Sequence, residues 1–303
     1  VEVSGDNIKF YEHCDIPLLD SIHYYGHGSD GFKLVTSAAF TYDRPVTAVE
    51  IYGNYPDNSV DKAMLYRSAM EVFARGASLI IPHGMWYDPA AMHIPPEISH
   101  RNPRWGAELP AYNQFVGRCS LLLQGGRHVV DIGMLYPVVA LQAAYRFDVP
   151  GLQQPNWGKD APSWADYLKI SDRLTGRVRR DFTFLHPEIL DERCRVQDAT
   201  LRLNNATNWE EYRVVIIPGG EVISQRNLQK LQTFCDNGGR VIATTQLPFK
   251  SSEFGQDHDV RRAITAMFGI APSAALPEAS DAAYRIRIEV RGTTIRTYVK
   301  GVL

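Results

Sequence analysis

Cysteine is scarce in these 303 residues. Four thiols, Cys14, Cys119, Cys194 and Cys235, stand far apart with no C-x-x-C pair, which argues against both a disulfide framework and a cysteine-bound zinc knot. Excess charge of either sign is missing as well. With a formal net charge of -2, the chain offers nucleic acid no basic face and a membrane no polybasic anchor. No run approaches the roughly 18 apolar residues of a membrane span, and no signal peptide is visible at the start. Because the chain opens on Val1 rather than Met, it is read as beginning inside a longer protein. Nucleotide-binding signatures are also lacking: Pro218-Gly219-Gly220-Glu221 follows an apolar run, but neither a Walker lysine nor G-x-G-x-x-G comes after it. What is present is ordinary for a globular protein, 45% hydrophobic and 22% charged, and long enough for two domains. A neutral or weakly polar small partner fits this balance.

The first third alternates strand and helix. An apolar strand is expected over 16–26, then a helix entered at Gly28-Ser29-Asp30 with Phe32, Val35, Ala38 and Ala39 at helical spacing. Arg44-Pro45 stops it and launches a strand through Glu50. Ser59 is the expected cap of a second helix, whose stripe Met64, Leu65, Ala69, Val72 and Phe73 ends at Arg75-Gly76. The strand Leu79-Ile80-Ile81 follows, then a proline-bearing irregular stretch from Met85 to Arg104 and a third helix over about 107–124. Three βα units at this spacing imply parallel strands joined by right-handed crossovers.

After Gly125-Gly126 the pattern restarts, and domains are placed at 1–126, 127–275 and 276–303. Strands are expected over 128–136, 181–185, 212–218 and 240–245, with helices over 163–175 and 224–237 and a helical turn over 187–194. This reads as a doubly wound, flavodoxin-like α/β domain, through which the protein could form oligomers. The tail, 283–290 and 293–299 around Arg291-Gly292, reads as a β-hairpin that starts a β-rich segment.

Chemistry gathers at the strand ends of the first domain. Glu50 closes an apolar strand and is followed by the turn Gly53-Asn54, placing a carboxylate where α/β barrels keep their reactive groups. His23 and His83 end the flanking strands. With His27 they could be metal ligands, but the spacing is not a helical zinc pattern, and hydrogen bonding to a polar ligand is the alternative. Tyr24, Tyr25, Tyr52, Tyr55, Trp86 and Tyr87 lie just beyond strand ends, either as core aromatics or as a platform against which a sugar face stacks. Glu50 alone reads equally as a catalytic or a structural carboxylate. Asp20 is a candidate second carboxylate, whereas Glu71, Glu97 and Glu108 fall on a helix or in flanking loops.

The runs Asp15-Ile16-Pro17-Leu18-Leu19-Asp20, Phe32 to Ala39, Arg44 to Glu50, Ala74 to Gly84 and Phe115 to Arg127 together resemble the late part of the catalytic barrel of α-L-rhamnosidase-type enzymes, glycoside hydrolase family 106 and its relatives. The resemblance covers about residues 10–250. It implies a (β/α)8 barrel of which the last three βα units are present here, followed by the α/β domain. It implies inverting hydrolysis of a terminal α-linked rhamnose, with Glu50 as general base; Asp20, His23, Tyr24, Tyr52, His83, Trp86 and Tyr87, by their own places at and beyond the strand ends, are the residues expected around the sugar. Calcium near the sugar, a role in polysaccharide degradation and a periplasmic or extracellular location are further implications. The chain departs from the family at Asp20, where relatives carry glutamate, and at Val49 and Ile51, where relatives have Ser or Thr beside the glutamate. The general acid is expected upstream of Val1. Two other readings stand beside this one: a retaining, β-galactosidase-like barrel enzyme with Glu50 as nucleophile, and a carbohydrate-binding protein without catalysis.

Overall fold

The structure, a computed structural model, describes residues 5–21, 31–54, 60–145 and 162–272, and the backbone alone of 285–291 and 294–300. The chain divides into two units, residues 11–128 and residues 129–303 together with 1–10. The expected sites His23 and Tyr24 lie outside the described residues, as do His27, Tyr25, Tyr55 and the helix entry at 28–30.

In the unit spanning 11–128, strands β1 (Leu18–Asp20), β2 (Ala48–Ile51) and β3 (Leu79–Pro82) form a parallel sheet in the order β1-β2-β3. Helix α1 (Phe32–Thr41) links the first pair and α2 (Lys62–Ala74) the second, as parallel neighbours require. Helix α3 (Leu109–Leu123) follows the irregular stretch after β3. Successive strand residues face opposite sides. Val49, Ile51 and Ile80 therefore join Phe32, Leu65, Ala69, Val72 and Phe73 in one apolar core under the sheet, each of these side chains larger than alanine contributing about 1.5–3 kcal/mol through burial. The opposite face carries Asp20, Glu50 and Ile81 in one row.

Local chemistry sets the helix limits. The cap of α2 is Asp61, whose carboxylate accepts from the Met64 N–H at 2.7 Å; the expected cap, Ser59, lies outside the described residues. Asp61 wins because its position directly precedes the first helical residue, where a side-chain oxygen reaches the N–H three residues on. At the other end Gly76 takes φ +104, and a Cβ there would stand 2.7 Å from the Phe40 ring, so the helix stops where only glycine fits.

The second unit is built on a six-stranded sheet. Strands β4 (Ile132–Leu135), β5 (Thr183–Leu185), β9 (Val214–Ile217) and β11 (Arg240–Ala243) are parallel, in spatial order β5-β4-β9-β11. Strands β13 (Arg285–Arg291) and β14 (Thr294–Lys300) form the expected hairpin, and β13 pairs antiparallel with β11. The tail is thus an edge of this sheet. Helices α4 (Val138–Ala144), α5 (Tyr167–Asp172), α6 (Pro187–Glu192), α7 (Gln225–Asp236) and α8 (Asp257–Phe268) accompany it. A small antiparallel sheet, β6 (Cys194–Gln197), β7 (Thr200–Leu203) and β8 (Glu210–Tyr212), interrupts the alternation, and a short parallel pair joins β10 (Val222–Ile223) to β12 (Lys250–Ser251). Residues before Tyr11 belong here and not with the first unit. The Asp6 carboxylate bonds His186 Nε2 at 2.7 Å, and Lys9 pairs with Glu188.

The turn after β9 is sealed from within. The Gly219 N–H donates to the Asp166 carboxylate at 2.8 Å, and the Thr245 hydroxyl donates to its other oxygen. Space there is so short that a Cβ on Gly219 would lie 2.1 Å from the Trp164 carbonyl oxygen. Among the described residues, no helix is long and apolar enough to cross a membrane.

Candidate active site at the strand ends

Strand parity assembles the site. Glu50 and Ile81 are register partners, so their side chains share the face opposite the core, and His83, two residues after Ile81, returns to that face. The backbone carries the pairing one step past β3, because the His83 N–H donates to the Ile51 carbonyl at 2.7 Å. His83 Nδ1 then meets Glu50 Oε1 at 2.6 Å. An ionised carboxylate only accepts, so the imidazole meets it with Nδ1–H as the donor. The Glu50 side chain keeps 29% of its surface and that of His83 15%; the pair is partly sheltered yet reachable.

Asp20 stands opposite Glu50 on the neighbouring strand and is exposed. Trp86 packs edge-on against His83, ring centroids 6.1 Å apart, and against His93 at 5.7 Å. Its carbonyl accepts from Arg101, whose guanidinium is held by the buried Glu97 carboxylate at 2.9 and 3.0 Å. The Ser99 hydroxyl donates to the same Glu97 oxygen, and this bond, followed by Arg101, holds the Glu97 carboxyl below its usual range. Tyr87 is fully exposed, beside Trp86 in sequence but without its packing.

Tyr52 is the exception among the expected site residues described here. It is fully buried rather than on an open platform. Its hydroxyl donates to the Leu65 carbonyl at 2.6 Å and lies 2.9 Å from the Tyr112 hydroxyl. At φ +77 the backbone turns this ring under the sheet, into the core cluster that holds Ile51 and Leu65. The other carboxylates weighed from sequence are engaged elsewhere. Glu108 accepts from Lys62 and Tyr66, both at 2.9 Å, and Lys62 above all keeps its carboxyl low. Glu71 accepts from Arg75 at 3.1 Å. His93 escaped the sequence reading, and Glu97 was weighed there only as a second carboxylate; the one available signal was their place in the proline-rich stretch that leaves β3.

Among the described residues no three His, Cys, Asp or Glu side chains gather as a metal site needs. Asp20 and Glu50 are two hard oxygen donors, one already bonded to His83, whereas calcium takes about six to eight oxygens.

No family model matches the sequence, and no curated protein does. Solved structures do. A rhamnosidase from Novosphingobium sp. PP1Y matches with a TM-score of 0.58 and 16% identity over 94% of this chain and 29% of its own. A catalytic mutant of a GH42 β-galactosidase from G. stearothermophilus matches with a TM-score of 0.58 and 14% identity over 98% of this chain and 43% of its own. A further GH42 β-galactosidase structure gives 0.57 and 16% over the same shares. The chain thus spans less than half the length of the proteins it matches. Identities this low speak for architecture alone, and what the chain shares with these enzymes is a mixed α/β fold with parallel sheets, of the kind glycoside hydrolases carry.

Proposed function

We propose that the chain is part of a glycoside hydrolase acting on terminal α-L-rhamnose or a similar sugar, with Glu50 as the general base of an inverting mechanism. The observation that carries this reading is a carboxylate at the carboxyl end of a parallel strand, on the face opposite the core, fixed by His83 at 2.6 Å. The three parallel βα units are read as the closing part of a barrel. In the second unit the parallel order β5-β4-β9-β11 matches a flavodoxin-like arrangement, in which the second strand lies outside the first.

In this mechanism Glu50 takes a proton from water while the water oxygen attacks the anomeric carbon and the glycosidic bond breaks. A separate carboxylic acid protonates the departing oxygen. The His83 Nδ1–H holds the Glu50 carboxylate in one orientation throughout. Asp20, one strand spacing of about 4.8 Å away at the backbone, is a weaker candidate for the partner acid than a carboxylate across a barrel mouth, since an inverting pair needs roughly 6.5–9.5 Å between carboxyls. With Glu71, Glu97 and Glu108 tied to cations, the acid is assigned to residues outside those described.

The nearness of Asp20 favours one second reading. A retaining pair stands about 5–5.5 Å apart, which would make Glu50 a nucleophile, as in a β-galactosidase-like enzyme. Replacing Glu50→Gln in the intact protein tests both versions, using aryl α-L-rhamnosides and aryl β-D-galactosides. Turnover should fall by about 10²–10⁴-fold with sugar binding retained, and the anomer first formed by the wild type separates inversion from retention. Unchanged turnover would remove Glu50 from catalysis and leave a sugar-binding role.

A further inference from the structure

We propose that Glu97 is a positioning residue for the Glu50–His83 pair, acting on it through Arg101 and Trp86. The proposal rests on the reading of Glu50 as the reacting carboxylate, and it says what keeps the imidazole beside that carboxylate in place.

Two contacts steer the His83 ring once β2 has set its backbone. Glu50 Oε1 lies 2.6 Å from Nδ1, and the Trp86 ring stands edge-on, centroids 6.1 Å apart at 66°. The outer torsion of a histidine is broad and soft, so one hydrogen bond alone leaves the ring able to tilt about it. The indole restricts that tilt. Whatever seats Trp86 therefore also seats His83, and through it Glu50.

Trp86 has no regular element to hold it. Between β3 and α3 the backbone is irregular apart from a 3-10 turn at Pro89–Ala91. Packing against His93 at 5.7 Å, and over Gly84, where a Cβ would lie 3.2 Å from Nε1, fixes the indole on its flanks. Its main chain is fastened to Glu97. Arg101 donates to the Trp86 carbonyl and, through Nε and Nη2, to Glu97 Oε1 at 3.0 and 2.9 Å. The donors that hold the Glu97 carboxyl low are the Ser99 hydroxyl, then Arg101, then the Trp86 N–H. The N–H and the C=O of Trp86 are thus both tied to one carboxylate.

Burial gives this carboxylate its leverage. Glu97 is 4% exposed, whereas an ion pair between exposed, mobile side chains would hold little. Its own backbone is pinned as well, because Asn102 donates to the Glu97 carbonyl at 2.9 Å and the Arg101 N–H donates to the Ser99 hydroxyl at 3.2 Å. A reacting group is held to its geometry by neighbours locked in this way. A loop staple with no bearing on the pair would change stability and leave turnover alone.

The test uses the intact protein with aryl α-L-rhamnosides and aryl β-D-galactosides. Glu97→Gln should lower kcat by about 10-fold and leave KM within about 2-fold, since misplacement by a fraction of an ångström is costly to chemistry. The double variant with His83→Ala should be no slower than His83→Ala alone, because the effect of Glu97 passes through that ring. Losses that multiply, or an unchanged kcat in Glu97→Gln, overturn the proposal. Arg101→Lys, which keeps the charge but cannot fork, should repeat the pattern at a position less buried than Glu97; full activity in this variant overturns the proposal too. A further measurement needs no turnover. The His83 ring resonances of the sugar-free protein should move in Glu97→Gln as the indole ring current shifts, while those of His186 stay in place; unmoved His83 resonances overturn the proposal. The outcome is separable from the catalytic reading. If Glu50→Gln leaves turnover intact, the Glu50 mechanism falls and the His83 resonances alone decide whether Glu97 positions the pair. If Glu50→Gln abolishes turnover and Glu97→Gln does not touch it, the positioning role falls alone.

Discussion

Replacing Tyr52→Phe removes a single oxygen from the most enclosed part of the first unit. In the wild type the Tyr52 hydroxyl donates to the Leu65 carbonyl at 2.6 Å and accepts from the Tyr112 hydroxyl at 2.9 Å. With Phe at 52, Tyr112 keeps a buried O–H that has lost this acceptor, and Tyr112 is almost fully enclosed. Such a loss costs about 1–3 kcal/mol, equivalent to a fall of several degrees in melting temperature for a unit of this size. A signature in alkali accompanies it. Burial pushes the Tyr52 phenol up, with Tyr112 adding to the rise, and burial pushes Tyr112 up to about 12. Both folded-state values lie above the ordinary 10.0. Their contribution is therefore full below pH 10 and is lost as pH rises beyond it. The variant, with one such group fewer, should be less stable at pH 7 and should decline less steeply above pH 10. Thermal unfolding followed by circular dichroism from pH 7 to 11.5 reads both effects, and titration with methyl α-L-rhamnoside reads the site. An unchanged melting temperature, or sugar affinity lost without loss of stability, would refute the placement of Tyr52 as core and not platform.

Two further predictions concern the second unit. Glu253 accepts from the Ser224, Ser251 and Ser252 hydroxyls and from the Gln225 N–H at the start of α7. Burial opposes ionisation, yet the Ser251 hydroxyl, the Gln225 N–H and the Ser224 hydroxyl outweigh it and bring the carboxyl from 4.5 down to about 2. That drop corresponds to at most ~3.4 kcal/mol, and screening at a partly exposed group reduces it to roughly 1–2 kcal/mol. The stabilisation is present above pH 4.5 and disappears as pH falls toward 2, so Glu253→Gln should flatten the acid limb of a urea-denaturation profile; an identical acid limb would contradict it. Gly219→Ala should cost about 1–3 kcal/mol through overpacking, because the Trp164 carbonyl leaves 2.1 Å for the new methyl, and an unshifted urea midpoint would show that the turn is loose.

Much of this was legible in residue periodicity. Glu50 and His83 could be placed at strand ends because their strands are short apolar runs closed by turns, and the shared face of the two residues follows from alternation alone. The bond between them was not legible, since it depends on β2 and β3 pairing in one register and not another. Tyr52 was misplaced for a different reason. A tyrosine just past a strand usually faces outward, and nothing in the sequence announces the left-handed turn that folds it inward. In the second unit the meander β6-β7-β8 went unseen because its strands are only three or four residues long and rich in Arg, Glu and Gln. Leu201, Leu203 and Tyr212 alternate inward, which is a faint signal over so short a span. Helix α8 is the opposite case: Val260, Ala263, Ile264, Met267 and Phe268 form a stripe at helical spacing that was open to reading. The Asp61 cap was likewise visible, two positions beyond Ser59.

The carboxylate lodged in the turn after β9 bears on what the second unit can accept. The carboxyl ends of parallel strands are where doubly wound proteins receive phosphates, using backbone N–H groups as the cradle. Here the Gly219 N–H is spent on Asp166, and the incoming group would face a negative charge already in residence. A phosphate offered to this turn would meet a carboxylate that already holds its backbone donor.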